Sequence, residues 1–333
     1  MQAPAAKPLI SLVVPCYNEE DVFPYLKAAL AGIADRLGAK FRVEMVLVDD
    51  GSKDVTWQQI CAFSQEDLRV RGVALSRNFG HQMALTCGYD LAEGDAVVSL
   101  DADLQDPPGV VLELVEKWQQ GYDVVYAVRK TRAGETRFKR WTAAIFYRII
   151  RALGAAYVKP DTGDFRLMSR CSLDALRQMH EQHRFIRGMV GWVGFRTADV
   201  FYEREPRKAG QTKYPLRKIL GFAVDAIVSF STLPLRVSFL AALLLSVSIL
   251  GYLGYAALKY VLFGVPLVPG WSSLILATVS LGTMNLICLG ILGEYAGRIY
   301  EQVKQRPLYL VREVVRTPGP RATTAEESPG PTA

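Results

Sequence analysis

The stretch AVVSLDADLQDPP, residues 96–108, decides the fold of this chain. Its opening residues, 96–100, are mostly apolar and predict a buried strand, and the carboxylates of Asp101 and Asp103 follow directly. Open α/β sheets bind their ligands at the carboxyl ends of parallel strands. Carboxylate oxygens are hard ligands that suit Mg²⁺ or Mn²⁺ bridging a diphosphate. The stretch therefore predicts a ligand site at the end of a strand, although an acidic triplet alone is also common on solvated loops.

Strands and helices alternate along the chain on both sides of this stretch. Short apolar runs predict strands at residues 9–14, 43–48, 70–75, 96–100 and 124–128. Apolar residues at helical spacing predict helices at residues 19–37, 55–63, 80–91 and 107–119. A βαβ series of this kind predicts an α/β fold with a doubly wound, mostly parallel sheet.

Two more loops with unusual side chains follow the first two predicted strands, at residues 15–20 and 49–54. Both loops are expected to face the crevice that receives Asp101. A carboxylate there can accept a hydrogen bond from a base N–H, and an aromatic ring such as that of Tyr17 can stack on a base. Gly51 lets the backbone approach a ligand closely, although the sequence around it also fits an ordinary turn.

Two long apolar stretches follow in the second half of the chain. Residues 237–258 carry no charge, and neither do residues 261–293. Each exceeds the roughly 20 residues that a helix needs to cross a hydrocarbon core of about 30 Å. A pair of buried core helices is the alternative, but soluble cores seldom sustain such length without a charge. The sequence therefore predicts two transmembrane helices.

Basic residues predict the orientation of these two helices. They flank the pair on both sides, whereas the connecting loop offers only Lys259. The flanking basic residues are Arg217, Lys218, Arg236, Arg298, Lys304, Arg306 and Arg312. Because cytoplasmic flanks are enriched in Lys and Arg, we expect a multi-pass protein of the inner (cytoplasmic) membrane with its catalytic domain in the cytoplasm. Residues 1–8 resemble neither a signal peptide nor a transit peptide.

Composition and charge limit the kinds of partner that this chain is expected to bind. The chain has 333 residues, half of them hydrophobic, and a formal net charge of +6. This modest excess fits anionic headgroups and phosphorylated substrates, and we expect no nucleic-acid partner because no nucleic-acid-binding signature is present. Five scattered cysteines without a Cys-x-x-Cys pair indicate neither a disulfide framework nor a zinc site.

Seven segments occur together in a characteristic order. They are residues 13–20, 76–81, 101–108, 162–168, 209–215, 293–298 and 306–309. As an ordered set, they resemble the inverting glycosyltransferases of family 2, which have the GT-A nucleotide-diphospho-sugar transferase fold. More closely, the chain resembles the polyprenyl-phosphate glycosyltransferases, which include bactoprenol glucosyltransferases and dolichol-phosphate mannose synthases. The resemblance covers nearly everything from residue 9 to residue 311.

The resemblance implies roles for individual residues. Contacts to the nucleotide base and ribose are expected from Pro15, Tyr17, Glu19 and Asp50, with Asp49 beside them. A site for Mg²⁺ or Mn²⁺ and the donor diphosphate is expected at Asp101, Asp103 and Gln105. Contacts to the donor diphosphate or the lipid phosphate are expected from Arg129, Arg140, Arg207 and Lys213. Taken singly, Arg129 and Arg140 are more typical of solvated surface residues.

Asp164 is, with Asp103, the expected catalytic residue. The resemblance implies a candidate base at Asp164. A polyprenyl phosphate, however, is largely ionised at pH 7, because phosphate monoesters have a second pKa of about 6. Asp164 is therefore expected to orient the sugar or a basic residue instead, and the structural alternative is a carboxylate tied to Arg166 or to a turn.

The resemblance and the apolar stretches together predict the domain organisation. Residues 1–215 are expected to form the cytoplasmic GT-A catalytic domain, and residues 236–296 a membrane domain with the two transmembrane helices. Residues 216–235 are expected to be an interfacial amphipathic helix, and residues 138–153 have a similar pattern. Residues 297–333 are expected to be a cytoplasmic segment, disordered after about residue 317.

The expected reaction is transfer of a hexose, glucose from UDP-glucose, to undecaprenyl or another polyprenyl phosphate. GDP-mannose and UDP-aminoarabinose are alternative donors, and a non-catalytic nucleotide-sugar-binding membrane anchor is an alternative of another class. A processive polysaccharide synthase is disfavoured because Arg140 and Trp141 are preceded by Arg137 where that class has glutamine. A homo-oligomer and a flippase partner are left open.

Overall fold

A computed structural model describes residues 7–130, 159, 162–203, 233–263 and 270–316. Within these residues an eight-stranded sheet forms the frame of the fold. Its strands are β1 (Leu9–Cys16), β2 (Arg42–Asp49), β3 (Val70–Leu75), β4 (Ala96–Ser99), β5 (Val124–Arg129), β6 (Thr162–Ser169), β7 (Thr197–Tyr202) and β8 (Val311–Arg316). The helices are α1 (Phe23–Gly38), α2 (Thr56–Glu66), α3 (His81–Leu91), α4 (Val110–Gln119), α5 (Arg170–Arg177), α6 (Ile186–Trp192), α7 (Leu233–Phe263) and α8 (Trp271–Val303).

The sheet is mixed, with the strand order β7-β5-β6-β4-β1-β2-β3-β8. Strands β3, β2, β1 and β4 are parallel neighbours, which confirms the doubly wound part of the predicted sheet. Strand β6 is antiparallel to both β4 and β5, and β8 is antiparallel to β3. Strands β6, β7 and β8 were not predicted, because polar residues interrupt their apolar runs.

Helices cover both faces of the sheet, as alternating side chains on each strand require. On β1, Ile10 and Leu12 belong to the core beneath α1, α2 and α4, whereas Val13 belongs to the core beneath α3, α5 and α6. All three side chains are fully buried. The two cores fix β1 between β2 and β4, where the strand order reverses, and this switch point is where doubly wound sheets bind their ligands.

The chain returns to the sheet after its two long apolar helices. Strand β8 follows α8 and pairs with β3, so that it covers an edge of the sheet that would otherwise expose unpaired backbone groups. Midway along α8, the thiol of Cys288 lies 3.8 Å from the carbonyl oxygen of Ser238, near the start of α7. The two helices therefore pack as an antiparallel pair.

The prediction of two transmembrane helices is not confirmed. In the described part of the chain, one helical segment, Ala277–Val303, is long and apolar enough to cross a membrane, whereas Val237–Tyr252 is a shorter apolar segment. The predicted limits also differ from the helices. Helix α7 continues to Phe263 and so takes in the beginning of the second apolar stretch, while α8 continues for ten residues beyond Gly293.

Several predictions concern residues outside the described ranges. They are the amphipathic segment at 138–153, residues 216–232 of the one at 216–235, the disordered tail after 317, and the phosphate contacts of Arg140, Arg207 and Lys213.

Candidate active site

The loops after β1 and β2 are joined by hydrogen bonds into one wall of the crevice. The backbone N–H of Asn18 donates to Ser52 Oγ at 3.0 Å, and Asn18 Oδ1 accepts from the N–H of Lys53 at 2.8 Å. The N–H of Glu19 donates to Thr56 Oγ1 at 2.9 Å. Asn18 has a φ of 53°, a conformation that asparagine tolerates better than most residues. Because both loops are fixed to each other, the wall does not depend on a ligand for its shape.

The predicted base contacts lie along this wall. Pro15 is buried at the end of β1, Tyr17 is 39% exposed, and Glu19 is half-buried. An exposed tyrosine ring beside a fixed loop suits stacking on a nucleotide base.

Asp49 and Asp50 are buried, and their carboxylates accept hydrogen bonds from backbone N–H groups. Asp49 accepts from the N–H of Ser52 at 3.1 Å, and Asp50 accepts from the N–H groups of Phe79 and Gly80 at 2.7 and 2.9 Å. Burial raises the pKa of both carboxyls, and these hydrogen bonds oppose the increase. Each oxygen has a second lone pair, so that a nucleotide contact is compatible with this structural role.

Gly51 is required where these loops meet. Its φ is +68°, and a Cβ atom added there would lie 2.5 Å from the carbonyl carbon of Arg77. Only glycine fits both the left-handed conformation and the close approach of the segment that precedes α3.

The acidic cluster follows β4, as predicted. Asp101 and Asp103 are half-buried and Gln105 is buried. Asp103 Oδ1 accepts from the backbone N–H of Gln105 at 3.1 Å, which orients the carboxylate.

These residues fit a divalent cation only together with a substrate. Among the described residues, no group of three or more His, Cys, Asp or Glu is arranged to hold a metal ion. Asp101 and Asp103 are nevertheless the hard oxygen donors that Mg²⁺ and Mn²⁺ prefer, and Mg²⁺ is commonly held by one or two carboxylates plus phosphate oxygens. These carboxylates therefore suit a cation whose coordination is completed by the oxygens of a diphosphate.

Arg129 is held beside this cluster by two neighbours. Its Nε donates to the hydroxyl oxygen of Tyr202 at 3.1 Å, and its Nη2 lies 3.4 Å from Asp106 Oδ2. The Tyr202 hydroxyl in turn donates to Asp106 Oδ1 at 2.6 Å. A Cβ atom on Gly163 would lie 2.9 Å from Arg129 Nη2, so a larger residue there would displace the guanidinium. These contacts fix the direction of Arg129, which remains partly exposed.

Asp164 lies at the amino end of β6 and receives donors from three chain segments. Its Oδ1 accepts from Arg166 Nη2 at 2.8 Å and from Arg187 Nε at 3.1 Å. Its Oδ2 accepts from Arg187 Nη2 at 2.9 Å and from Gln82 Nε2 at 3.3 Å. His81 Nε2 lies 3.4 Å from the same oxygen. Because β6 runs antiparallel to β4, this buried carboxylate lies next to the acidic cluster.

The charge of Asp164 is strongly favoured in these surroundings. Burial raises the pKa of the carboxyl, but the hydrogen bond from His81 and the positive charges of Arg187 and Arg166 outweigh burial and hold the pKa well below its usual value. The carboxylate therefore stays ionised at neutral pH. Its oxygens are occupied by donors, which favours an orienting role over that of a general base.

His81 connects the two acidic groups. Its Nε2 lies 3.7 Å from Asp101 and 3.4 Å from Asp164. Burial lowers the pKa of His81, but the hydrogen bond to Asp164 and the charges of both carboxylates raise it above the ordinary value. The crevice therefore brings together the predicted residues Asp101 and Asp164 through a side chain to which the sequence analysis gave no role.

Gln82 and Arg187 were also not predicted as site residues. Gln82 directly follows residues 76–81, one of the segments that carry the family resemblance. This position was the signal that could have identified it. Arg187 had a weaker signal, as a charged residue inside the otherwise apolar run 185–190. Arg166 was foreseen only in the structural alternative for Asp164.

Replacing Asp164 by asparagine should destabilise the protein. Arg166 is 1% exposed, and removal of its charged partner leaves a buried guanidinium uncompensated. We expect the free energy of unfolding of the full chain in detergent to fall by about 3 kcal/mol. The depressed pKa of Asp164 means that this stabilisation is present above the ordinary value of 3.8 and is lost only as the pH falls through the folded-state pKa.

Asp174→Asn is the matched control. Asp174 also contacts two arginines, Arg170 and Arg177, but its side chain is 48% exposed. Solvent screening limits its effect to about 1 kcal/mol or less. Equal losses in the two variants would show that Asp164 does not hold a buried charge.

Comparisons with known proteins show which proteins this chain is similar to. Residues 11–177 match Glycosyl transferase family 2. An uncharacterized glycosyltransferase of Synechocystis sp. is 47% identical over 305 residues, which are 92% of this chain and 95% of that protein. The SfII prophage-derived bactoprenol glucosyl transferase of Shigella flexneri is 40% identical over 305 residues, which are 91% of this chain and 97% of that protein.

Among solved structures, glucosyl-3-phosphoglycerate synthase from Mycobacterium tuberculosis matches with a TM-score of 0.47 and 19% identity, covering 67% of this chain and 79% of that one. Similarity at this level carries no functional information. The family match and the relatives that cover most of the chain agree with the predicted GT-A fold, whose sheet is mixed rather than mostly parallel as predicted. The chain therefore belongs to glycosyl transferase family 2 and is a glycosyltransferase.

Proposed function

We propose that this enzyme transfers glucose from UDP-glucose to the phosphate of undecaprenyl (bactoprenol) phosphate at the cytoplasmic face of the membrane. The observation that carries the proposal is the crevice in which Asp101, at the start of the acidic cluster, and the anchored carboxylate of Asp164 lie on either side of His81. Relatives named bactoprenol glucosyl transferases are 40% identical over nearly their whole length, which supports both the acceptor and the sugar.

The donor nucleotide is proposed to lie along the wall formed by the loops after β1 and β2. Tyr17 would stack on the base, with Pro15 and Glu19 beside it. Asp49 and Asp50 would contact the base or ribose with the lone pairs that their backbone hydrogen bonds leave free. This placement directs the diphosphate toward Asp101, Asp103 and Gln105, with the guanidinium of Arg129 nearby.

Asp101 and Asp103, with Gln105 beside them, would hold a divalent cation, Mg²⁺ or Mn²⁺, together with the donor diphosphate. When bound, such a cation stabilises the negative charge that develops on the leaving nucleoside diphosphate. Arg129 supplies a fixed positive charge on the same side, which also favours departure of the diphosphate.

The reaction itself needs an oxygen nucleophile and a leaving group in line. An ionised oxygen of the acceptor phosphate would attack the anomeric carbon, the bond from that carbon to the UDP oxygen would break, and inversion would give a β-linked lipid phosphosugar. Because the acceptor has a second pKa of about 6, its oxygen is already ionised at neutral pH. Asp164 would orient Arg187 and the sugar rather than accept a proton.

The acceptor phosphate is proposed to contact Arg140, Arg207 and Lys213. Guanidinium groups form paired hydrogen bonds with phosphate oxygens, which supports this assignment. The amphipathic segments at 138–153 and 216–235 would lie in the headgroup plane and deliver the phosphate to the crevice while the lipid tail stays in the bilayer. The other proposed domain limits are 1–215 for catalysis, 236–296 for the membrane and 297–333 for the cytoplasmic end.

GDP-mannose and UDP-aminoarabinose remain the alternative donors of this proposal. Membership of a glycosyltransferase family disfavours a non-catalytic anchor. A homo-oligomer and a flippase partner stay predictions.

We also propose that both apolar helices cross the membrane. Helix α7 has 31 residues, which at about 1.5 Å per residue gives roughly 46 Å, more than a hydrocarbon core of about 30 Å. The contact between Cys288 and Ser238 supports an antiparallel hairpin whose two outer ends lie on one side.

Cysteine labelling tests this topology in a background with Cys61→Ser, Cys171→Ser and Cys288→Ser, which removes the cysteines that are not buried. A cysteine at Lys259, near the end of α7, should react only with a reagent on the far side of the membrane. Cysteines at Lys304 and at Gln119 in the catalytic domain should react only from the cytoplasm. Labelling of all three from the cytoplasm would contradict two spans.

A donor screen with undecaprenyl phosphate tests the proposed reaction. Purified full-length protein should give a lipid product with the mass of undecaprenyl phosphate plus one hexose when UDP-glucose is present. Asp103→Asn and EDTA should each reduce turnover about 10²- to 10³-fold, because charge on the leaving diphosphate is no longer stabilised. The control Asp174→Asn should retain wild-type turnover.

Three results would contradict the proposal. Transfer from another nucleotide sugar but not from UDP-glucose would show that UDP-glucose is not the donor. No lipid product with any of the three donors would reject the acceptor, and full activity of Asp103→Asn in EDTA would reject the metal assignment.

A further inference from the structure

The last turn of α8 is bonded to the segment that connects α5 with α6. Gln302 uses both ends of its side-chain amide in this contact. Its Oε1 accepts from the backbone N–H of Gln182 at 2.9 Å, and its Nε2 donates to the carbonyl oxygen of His180 at 2.9 Å. One side chain thus fixes the backbone of the connecting segment in position and direction.

Neighbouring contacts strengthen this junction. Gln182 Nε2 donates to the carbonyl oxygen of Arg306 at 2.7 Å, and His183 Nε2 lies 2.6 Å from Glu301 Oε2. The last turn of α8 and the residues after it therefore contact His180, Gln182 and His183 of the connecting segment.

The connecting segment leads directly to Asp164. It ends at α6, where the N–H of Ile186 donates to Gln82 Oε1 at 3.1 Å. Gln82 Nε2 donates to Asp164 at 3.3 Å, and Arg187 donates to both oxygens of that carboxylate. The backbone of residues 182–186 thus joins the hydrogen bonds at the end of α8 to those around Asp164.

Helix α6 needs support from outside itself. It has seven residues, which is too short for a helix to be stable on its own. It must also hold the charged side chain of Arg187 in a partly buried position, 34% exposed. Its position is therefore set by its contacts, and Gln302 supplies two hydrogen bonds to the segment that enters it.

We propose that Gln302 is a positioning residue that, through the segment 180–186, holds Arg187 and Gln82 against Asp164. The end of an apolar helix thereby sets the geometry of the crevice. The effect on sugar transfer rests on the proposed function, whereas the effect on the position of α6 does not.

Hydrogen–deuterium exchange tests the structural part without any substrate. In Gln302→Ala, the amides of α6 should exchange about tenfold faster, because local opening of the helix becomes easier. The matched control is Gln119→Ala, an exposed glutamine at the end of α4, and it should leave exchange in α6 unchanged. Unchanged exchange in Gln302→Ala would overturn the proposal, whatever reaction the enzyme catalyses.

A double-mutant cycle with Arg187→Ala tests the functional part. In the wild-type background, Gln302→Ala should lower kcat about tenfold and change the KM of the donor less than about twofold. In the Arg187→Ala background the same substitution should lower kcat less than about twofold, because the residue through which it acts is already absent. Equal losses in both backgrounds, or a loss confined to KM, would overturn the proposal.

Gln302→Glu keeps the cycle interpretable if Gln302→Ala does not fold. The glutamate retains the acceptor for the N–H of Gln182 and loses the donor to the carbonyl of His180. It should show the same non-additivity with Arg187→Ala, and additive losses would count against the proposal. A wild-type enzyme that transfers no sugar would reject the proposed function, and the exchange result would still decide the position of α6.

Discussion

The buried carboxylate of Asp164 and the arginines around it organise the centre of the crevice. Arg166 is almost fully buried, and in the described part of the chain its Nε and Nη1 atoms have no hydrogen-bond partner. Such a charge is costly to bury and is tolerated only beside an opposite charge. Because Asp164 also binds Arg187 and Gln82, one carboxylate fixes the positions of β6, α3 and α6 relative to one another.

The sheet topology explains how this carboxylate reaches the ligand site. Strand β4 runs parallel to β1 and ends at the acidic cluster, whereas β6 runs in the opposite direction and begins beside that cluster. The hydroxyl of Ser99 donates to the backbone carbonyl of Asp164, which ties the two strand ends together. A parallel strand in place of β6 would have put Asp164 at the opposite edge of the sheet.

The sequence predicted the parts of the fold that depend on local patterns. Residues 96–100 were recognisable as a strand because the run is apolar, and the site at Asp101 followed from the position of carboxylates at a strand end. Strand β6 was missed because polar residues interrupt its apolar run. The contact between Gln182 and Gln302 joins positions 120 residues apart, and no local pattern reports such a pairing. The helix α1 begins at Phe23 rather than at residue 19, because residues 19–22 form a turn joined to the loop after β2.

The pH dependence of the Asp164→Asn variant tests most directly the claim that Asp164 is an ionised anchor and not a base. The depressed pKa of Asp164 keeps it charged from pH 6 to pH 9, while the acceptor phosphate loses its second proton at a pKa of about 6. An orienting role predicts that the ratio of variant to wild-type transfer rates is the same at every pH in this range, and that slow donor hydrolysis without acceptor is also reduced. A variant that recovers steeply as the pH rises, with donor hydrolysis unchanged, would show that Asp164 acts as a base.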